Sequence, residues 1–267
     1  MAYQFILYEK ADGSAVITLN RPDKLNAWSE QMKSEMMDAM ADAAGDDNVA
    51  AVIFTGAGRG FSSGRTNQPW EETQRTADAA PRSSPGTAPG GNRWIEKLID
   101  FDKPTIAAIN GVMAGAAISF ACACDVRMAS DRAQLRMSWS RIGLVPGSAS
   151  VYWLTQIIGK AHLFELVYTN DVIDAKEMER IGLVNRVVPH DELIPYCREM
   201  VKKMRVIPPI TLKTSKKIIQ RVPDMKRDLE EARMWEAWGW RVVEDTSDRA
   251  EAHKSFLEKR QPVYKGR

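Results

Sequence analysis

The stretch that most constrains this chain runs from Pro104 to Gly147: PTIAAINGVMAGAAISFACACDVRMASDRAQLRMSWSRIGLVPG. Thr105 to Ile109 is a short apolar run with β-branched residues and reads as a buried strand. Asn110-Gly111 breaks it. Met113 to Cys124 then consists almost wholly of small residues, among them Ala114, Gly115, Ala116, Ala117, Ser119 and Ala121. It reads as a helix that other backbone can approach closely. The first turn of a helix carries N–H groups without intrahelical partners and the positive end of the helix dipole. A strand feeding such a terminus can hold an oxyanion or a phosphate.

Upstream, Phe5 to Tyr8 and Ala15 to Leu19 read as paired strands joined across Ala11-Asp12-Gly13. Arg21-Pro22 ends the second strand, and Pro22 to Ala27 is a loop with Lys24 at its tip. Ser29 is placed to cap a helix, with Glu30 in its first turn. Met32, Met36, Met37 and Met40 recur at helical spacing as a packing stripe, and Gly45 is the stop. Val49 to Thr55 is a third buried strand. Alternation of strand, helix and strand predicts a parallel sheet with right-handed crossovers. Gly56 to Gly64 follows as a turn holding four glycines. Glycines after a strand can cradle phosphate, but the Gly-Lys-Ser/Thr ending of a P-loop is missing, which excludes a nucleoside triphosphate site of that kind.

Gln68 to Asn92 is polar, rich in Pro, Gly and Ser, and without periodicity, the signature of a lid, a binding loop or a disordered segment. Its large or acidic residues before the low-complexity part are Trp70, Glu71 and Glu72, with surface roles predicted for both Glu residues. Arg93 to Phe101 reads as a helix. After the central stretch, Asp125 to Ala129 and Ala133 to Leu135 read as short strands. Ala161 to Thr169, Ala175 to Ile181 and Asp191 to Met204 read as helices, and Val184 to Val188 as a last strand. Beyond Pro208-Pro209 the pattern is helical throughout. Trp235 and Trp238 share a face there and suit packing or subunit contact.

A length of 267 residues is enough for an ample core, and 44% hydrophobic with 27% charged residues is ordinary for a globular protein. A net charge of +2 gives no reason to expect nucleic acid or an anionic membrane surface. No apolar run reaches the roughly 18 residues needed to span a bilayer, and the N-terminus has no secretory pattern. Cys122 and Cys124 point away from each other on the small-residue helix, and Cys197 is alone. None belongs to a disulfide or zinc pattern, so no metal is expected and a reducing cytoplasm fits.

Four stretches together resemble the crotonase (enoyl-CoA hydratase/isomerase) superfamily: the central one, LNRPDKLNAW (Leu19 to Trp28), TGAGRGFSSGRTN (Thr55 to Asn67) and the terminal FLEKRQPVYKGR. The second contains a loop similar to the family's F-[CSA]-[AS]-G-x-D. All four stand in family order across nearly the whole chain. The resemblance implies an α/β fold, a crotonase-type spiral of ββα units over residues 1–205. It also implies a C-terminal helical trimerisation segment over 206–267, giving a homotrimer or a dimer of trimers. The implied substrate is an acyl-CoA thioester. Coenzyme A enters as part of the substrate, with no permanently bound cofactor. The backbone N–H groups of Arg65 and Ala116 are implied as the oxyanion hole. Lys24, Leu25, Ala27, Ser63, Gly64, Thr66, Asn67, Gln68 and Gly115 are implied to border the CoA and thioester. Phe256 and Lys259 are implied to reach the nucleotide, Lys259 from a neighbouring subunit.

The chain departs from the family where proton transfer is done. Alignment on Cys124-Asp125 puts Ser119, and alignment on Ile142-Gly143 and Pro146-Gly147 puts Trp139, at the positions of the usual catalytic Glu pair. Indole has no proton to exchange near neutral pH, and an unassisted serine hydroxyl is a poor base. Trp139 also resembles the W-x-x-I-G of 4-chlorobenzoyl-CoA dehalogenase, but that family's nucleophilic Asp position is Gly147 here. His162, His190 and His253 sit beside no nucleophile motif. The expectation is an acyl-CoA enzyme with an oxyanion hole and doubtful hydratase activity. The alternatives are a hydrolase, C–C lyase or isomerase for an aromatic or alicyclic acyl-CoA, and a non-catalytic acyl-CoA-binding protein. Should a carboxylate serve, Glu71 or Glu72 is the one expected.

Overall fold

A computed structural model describes residues 3–64, 93–139, 146–221 and 246–266. Two sheets carry the fold. The larger has six strands in the order β1 (Ile6–Ala11), β2 (Ser14–Leu19), β3 (Ala51–Gly56), β5 (Thr105–Ile109), β7 (Val126–Ser130), β10 (Arg186–Val188). Only the β1–β2 hairpin is antiparallel; β2, β3, β5, β7 and β10 run parallel. Asp12 and Gly13, with φ of 53° and 80°, close the hairpin, the left-handed pair that a tight two-residue turn requires. The smaller sheet is β4 (Gly60–Ser62), β6 (Val112–Ala114), β8 (Gln134–Arg136), β9 (Val172–Asp174).

Three parallel strands of the large sheet each feed a strand of the small one across a few residues. β3 reaches β4 through Ala57–Arg59, β5 reaches β6 through Asn110-Gly111, and β7 reaches β8 through Asp131–Ala133. This repetition is the expected ββα spiral. Helix α1 (Glu30–Gly45) follows β2, and Ser29 caps it by accepting the Met32 N–H at 3.2 Å. Met32, Met36 and Met40 are buried on its inner side as the stripe predicts. On β2, Ala15, Ile17 and Leu19 join the core beneath α1, while Val16 faces the opposite core with Leu193, Cys197 and Val201 of a later helix. The large sheet is therefore covered on both faces, as parallel sheets are.

Several expectations need correction. The helix predicted from Met113 begins later: Val112–Ala114 is β6, and helix α2 runs Ala116–Ala123. The small residues hid a three-residue strand that pairs in parallel with β4 and β8. Arg93–Leu98 is a 3-10 helix that ends before Phe101. Strands β4 and β9 and helix α3 (Ser150–Ile157) were not anticipated. Helices α4 (Gly159–Thr169), α5 (Ala175–Arg180) and α6 (Leu193–Met204) match prediction to within two residues at each end, and β10 is shorter than expected.

Beyond Pro208, helix α7 (Pro209–Arg221) is tied to the core. Lys216 is nearly buried and meets Asp125 at 2.9 Å, and Lys213 and Lys217 both reach Asp102. Asp125 also accepts the N–H and hydroxyl of Thr105 at the start of β5. Helix α8 (Ser247–Glu258) carries the terminal strap, whose Lys265 and Gly266 N–H groups donate to the buried Asp248. Trp235 and Trp238 lie outside the described residues.

Candidate active site

The C-terminal ends of β2, β3 and β5 gather the loops that resemblance assigned to CoA and thioester. Pro22–Lys24 forms a 3-10 turn, and Leu25 and Asn26 follow with φ of 48° and 54°. Asn tolerates that left-handed conformation better than most residues. Its side chain is wholly buried. The amide nitrogen donates to the Ala57 carbonyl at 2.9 Å and the Gly60 carbonyl at 2.8 Å, and the amide oxygen accepts the Arg21 N–H. Asn110 does the same from β5, accepting the Gly56 N–H at 3.0 Å and donating to the Gly58 carbonyl at 3.0 Å. Two buried amides thus hold the glycine turn from opposite sides.

The turn then meets the start of α2. Gly64 has φ of 84°, and a Cβ there would stand 2.7 Å from the Ala116 nitrogen and 2.9 Å from the Ala114 carbonyl. Gly115 caps α2 with φ of 55° and ψ of −140°, and a Cβ on it would press on the Ser63 carbonyl at 3.2 Å. Both positions demand glycine, on conformation and on space. The Ala116 N–H, first of the helix and without an intrahelical partner by position, therefore opens beside the segment that leads into Arg65. Behind it Phe120 stacks on Trp94 at 5.4 Å and meets Phe54 edge-on at 5.0 Å, and Trp94 meets Trp28 at 4.8 Å. This aromatic block is buried and makes the wall behind the helix start rigid.

Of the predicted residues, Lys24 is exposed, Leu25 and Ser63 are half-buried, and Ala27, with its carbonyl bound to Arg21, is buried. All four stand on the same pair of loops as Gly64. Arg65, Thr66, Asn67, Gln68, Glu71 and Glu72 lie outside the described residues, as does the Phe256 side chain. Lys259 is exposed just past α8, in a left-handed turn with φ of 52°.

Ser119 lies one turn into α2, wholly buried, and its hydroxyl donates to the Gly147 carbonyl at 3.4 Å. The same carbonyl accepts the Ser150 N–H at 3.1 Å. Ser150 begins α3, which packs on α2, and its buried hydroxyl has no partner among the described residues. Trp139 is half-buried against the main core. So Ser119 and the Pro146-Gly147 turn meet, and the polar groups they bring are hydroxyls and a carbonyl. Burial pushes the Cys122 thiol up to about 11, the Cys124 thiol higher still and the Cys197 thiol up to about 12, so none offers a thiolate near neutral pH. His190 does find a serine, with Nδ1 at 3.3 Å from Ser130 Oγ. Ser130 is wholly buried and its proton goes to the Asn110 carbonyl at 2.9 Å, so the contact steadies the β5–β6 corner. Sequence spacing gave no sign of the roles of Ser62, Asn26 and Asn110, because these lie in bonds to residues distant in the chain. Among the described residues no cluster of His, Cys, Asp or Glu could hold a metal, and no helix is long and apolar enough to cross a membrane.

A spiral of ββα units with a glycine turn held against a helix start is the crotonase fold, and known proteins bear this out. A crystal structure of an enoyl-CoA hydratase from Bacillus anthracis superposes with a TM-score of 0.87 at 28% identity, covering 99% of this chain and 100% of that one. A probable enoyl-CoA hydratase of Mycobacterium bovis is 32% identical over 264 residues, 99% of each chain. A 1,2-epoxyphenylacetyl-CoA isomerase of Escherichia coli K12 is 27% identical over 271 residues, again 99% of each. The sequence profile of the enoyl-CoA hydratase/isomerase family matches residues 9–267. The chain belongs to that family.

Proposed function

We propose that this protein is an acyl-CoA thioester enzyme that polarises the thioester carbonyl with the backbone N–H groups of Arg65 and Ala116 and stabilises the resulting enolate. The observation that supports this is the seat of Gly64 against the Ala116 nitrogen at the start of α2. Two such donors act on charge that develops during reaction, and removing one typically costs about 2.7–4 kcal/mol of transition-state stabilisation. CoA arrives with the substrate, its nucleotide end near Lys24 and, from a neighbouring subunit of a trimer or dimer of trimers, Lys259. Calorimetry tests the reading: CoA thioesters bind and the free acids do not. Lack of affinity for every CoA ester tried would overturn it. Light scattering tests the assembly, which a monomer at micromolar concentration would contradict.

The reaction is not ordinary hydration. Ser119 and Trp139 replace the usual Glu pair, and neither moves a proton to or from water near neutral pH. A carboxylate from elsewhere, Glu71 or Glu72, is the remaining source of a base. A second reading is isomerisation, hydrolysis or C–C cleavage of a flat acyl group. The half-buried Trp139 indole favours it, and the likeness to a 1,2-epoxyphenylacetyl-CoA isomerase agrees. Turnover of any CoA ester in a panel read by mass spectrometry excludes the remaining alternative, a non-catalytic acyl-CoA-binding protein.

A further inference from the structure

The loop of Lys24 to Trp28 and the segment of Ser62 to Gly64 are not independent. They run side by side as a short ladder: the Ser63 N–H donates to the Leu25 carbonyl at 2.9 Å, and the Trp28 N–H donates to the Gly64 carbonyl at 2.8 Å. One side chain sits between the rungs. Ser62 Oγ, wholly buried, donates to the Asn26 carbonyl at 2.8 Å and accepts the Gly64 N–H at 3.0 Å. Asn26 in turn is fixed by its buried amide to Ala57 and Gly60. The position of Gly64 is therefore set from three directions: by Trp28 on its carbonyl, by Ser62 on its N–H, and by the helix start of α2 on its Cα. The last contact leaves no slack, since even a methyl group there would clash with the Ala116 nitrogen.

We infer that Ser62 and Asn26 are positioning residues that lock the CoA-bordering loop Lys24 to Trp28 and the segment Ser62 to Gly64 into one body, so that the contacts that shape the Lys24 loop also seat Gly64 against the start of α2. This rests on the oxyanion reading of Arg65 and Ala116. Neither residue touches the substrate. Each acts through Gly64, and an unlocked Gly64 loosens its seat against the Ala116 nitrogen. Loss of a hydrogen bond of this kind moves an equilibrium by about three- to tenfold.

The test compares a CoA thioester with the matching S-alkyl-CoA thioether, which keeps the CoA and the chain but lacks the carbonyl. The unsubstituted protein prefers the thioester in calorimetry. Ser62→Ala removes the bridge with little change of volume, and it lowers that preference about three- to tenfold while thioether affinity stays within about twofold. Asn26→Ala lowers it further, and also weakens the thioether because the Lys24 loop moves. If Asn26→Ala does not fold, Ser62→Ala alone decides. A preference that survives Ser62→Ala, or equal losses for thioester and thioether, overturns the inference and leaves the oxyanion hole standing. A protein with no preference before substitution removes the oxyanion reading, and this inference with it.

Discussion

The carbonyl side of the site and its proton-transfer side are built by opposite means. On the proposed carbonyl side, two buried amides, a bridging serine hydroxyl and two glycines without room for a side chain hold the Gly64 turn against the start of α2. On the other side, Ser119 makes one long bond to Gly147, Ser150 has a buried hydroxyl without a partner among the described residues, and Trp139 offers an indole. Backbone N–H groups survive almost any side-chain change, so an oxyanion hole persists while the sequence around it drifts. A general base is a side chain, and one substitution removes it. On the proposed reading, the difference separates what a fold can retain from what each chain must supply itself.

The comparison can be broken most severely at Gly64. Gly64→Ala places a methyl group on the Ala116 nitrogen, and steady-state turnover of the best CoA ester falls by about 10²–10³. A loss below tenfold would mean the hole is not where Gly64 puts it. Asn110→Ala leaves the Gly56 N–H unpaired in a buried corner and removes the part-buried bond to the Gly58 carbonyl, and it lowers unfolding free energy in urea by about 1–3 kcal/mol. Lys24 is exposed, so Lys24→Ala weakens CoA-ester binding by only about two- to fivefold, as for a surface ion pair, and the difference fades at high salt. Ser119→Ala is the smallest change. It leaves turnover within about twofold, whereas loss of a true general base would cost about 10²–10⁴.

Much of this was legible in the sequence, and the gaps have physical causes. β2, β3 and β5 were readable because strands of five or six mostly apolar residues have room to show a pattern, and α1 because Ser29, its methionine stripe and Gly45 agree. β4, β6 and β9 were not. Each is three residues long, too short for a period, and each is held by parallel or distant partners. In β6 the Val-Met-Ala run also merges with the alanines of α2, which is why the helix was expected three residues early. The glycines of the site were legible as punctuation. That Gly64 abuts Ala116 and that Ser62 bridges to Asn26 follows only from contacts between segments more than thirty residues apart. The assignment of Ser119 and Trp139 to the positions of the Glu pair rests on resemblance, and the contact of Ser119 with the Gly147 carbonyl is visible only in the fold.

The central claim is that this site polarises a thioester carbonyl without the acid–base pair that activates water. Loss of enoyl-thioester absorbance from crotonyl-CoA with purified protein tests it most directly. Each absent acid–base group typically contributes about 10²–10⁴-fold, or about 3–5 kcal/mol of barrier, so hydration is predicted to be very slow or undetectable. A rate typical of hydratases would contradict the account. If that rate also survived Glu71→Gln and Glu72→Gln, the base would lie at a position other than the loop after Arg65.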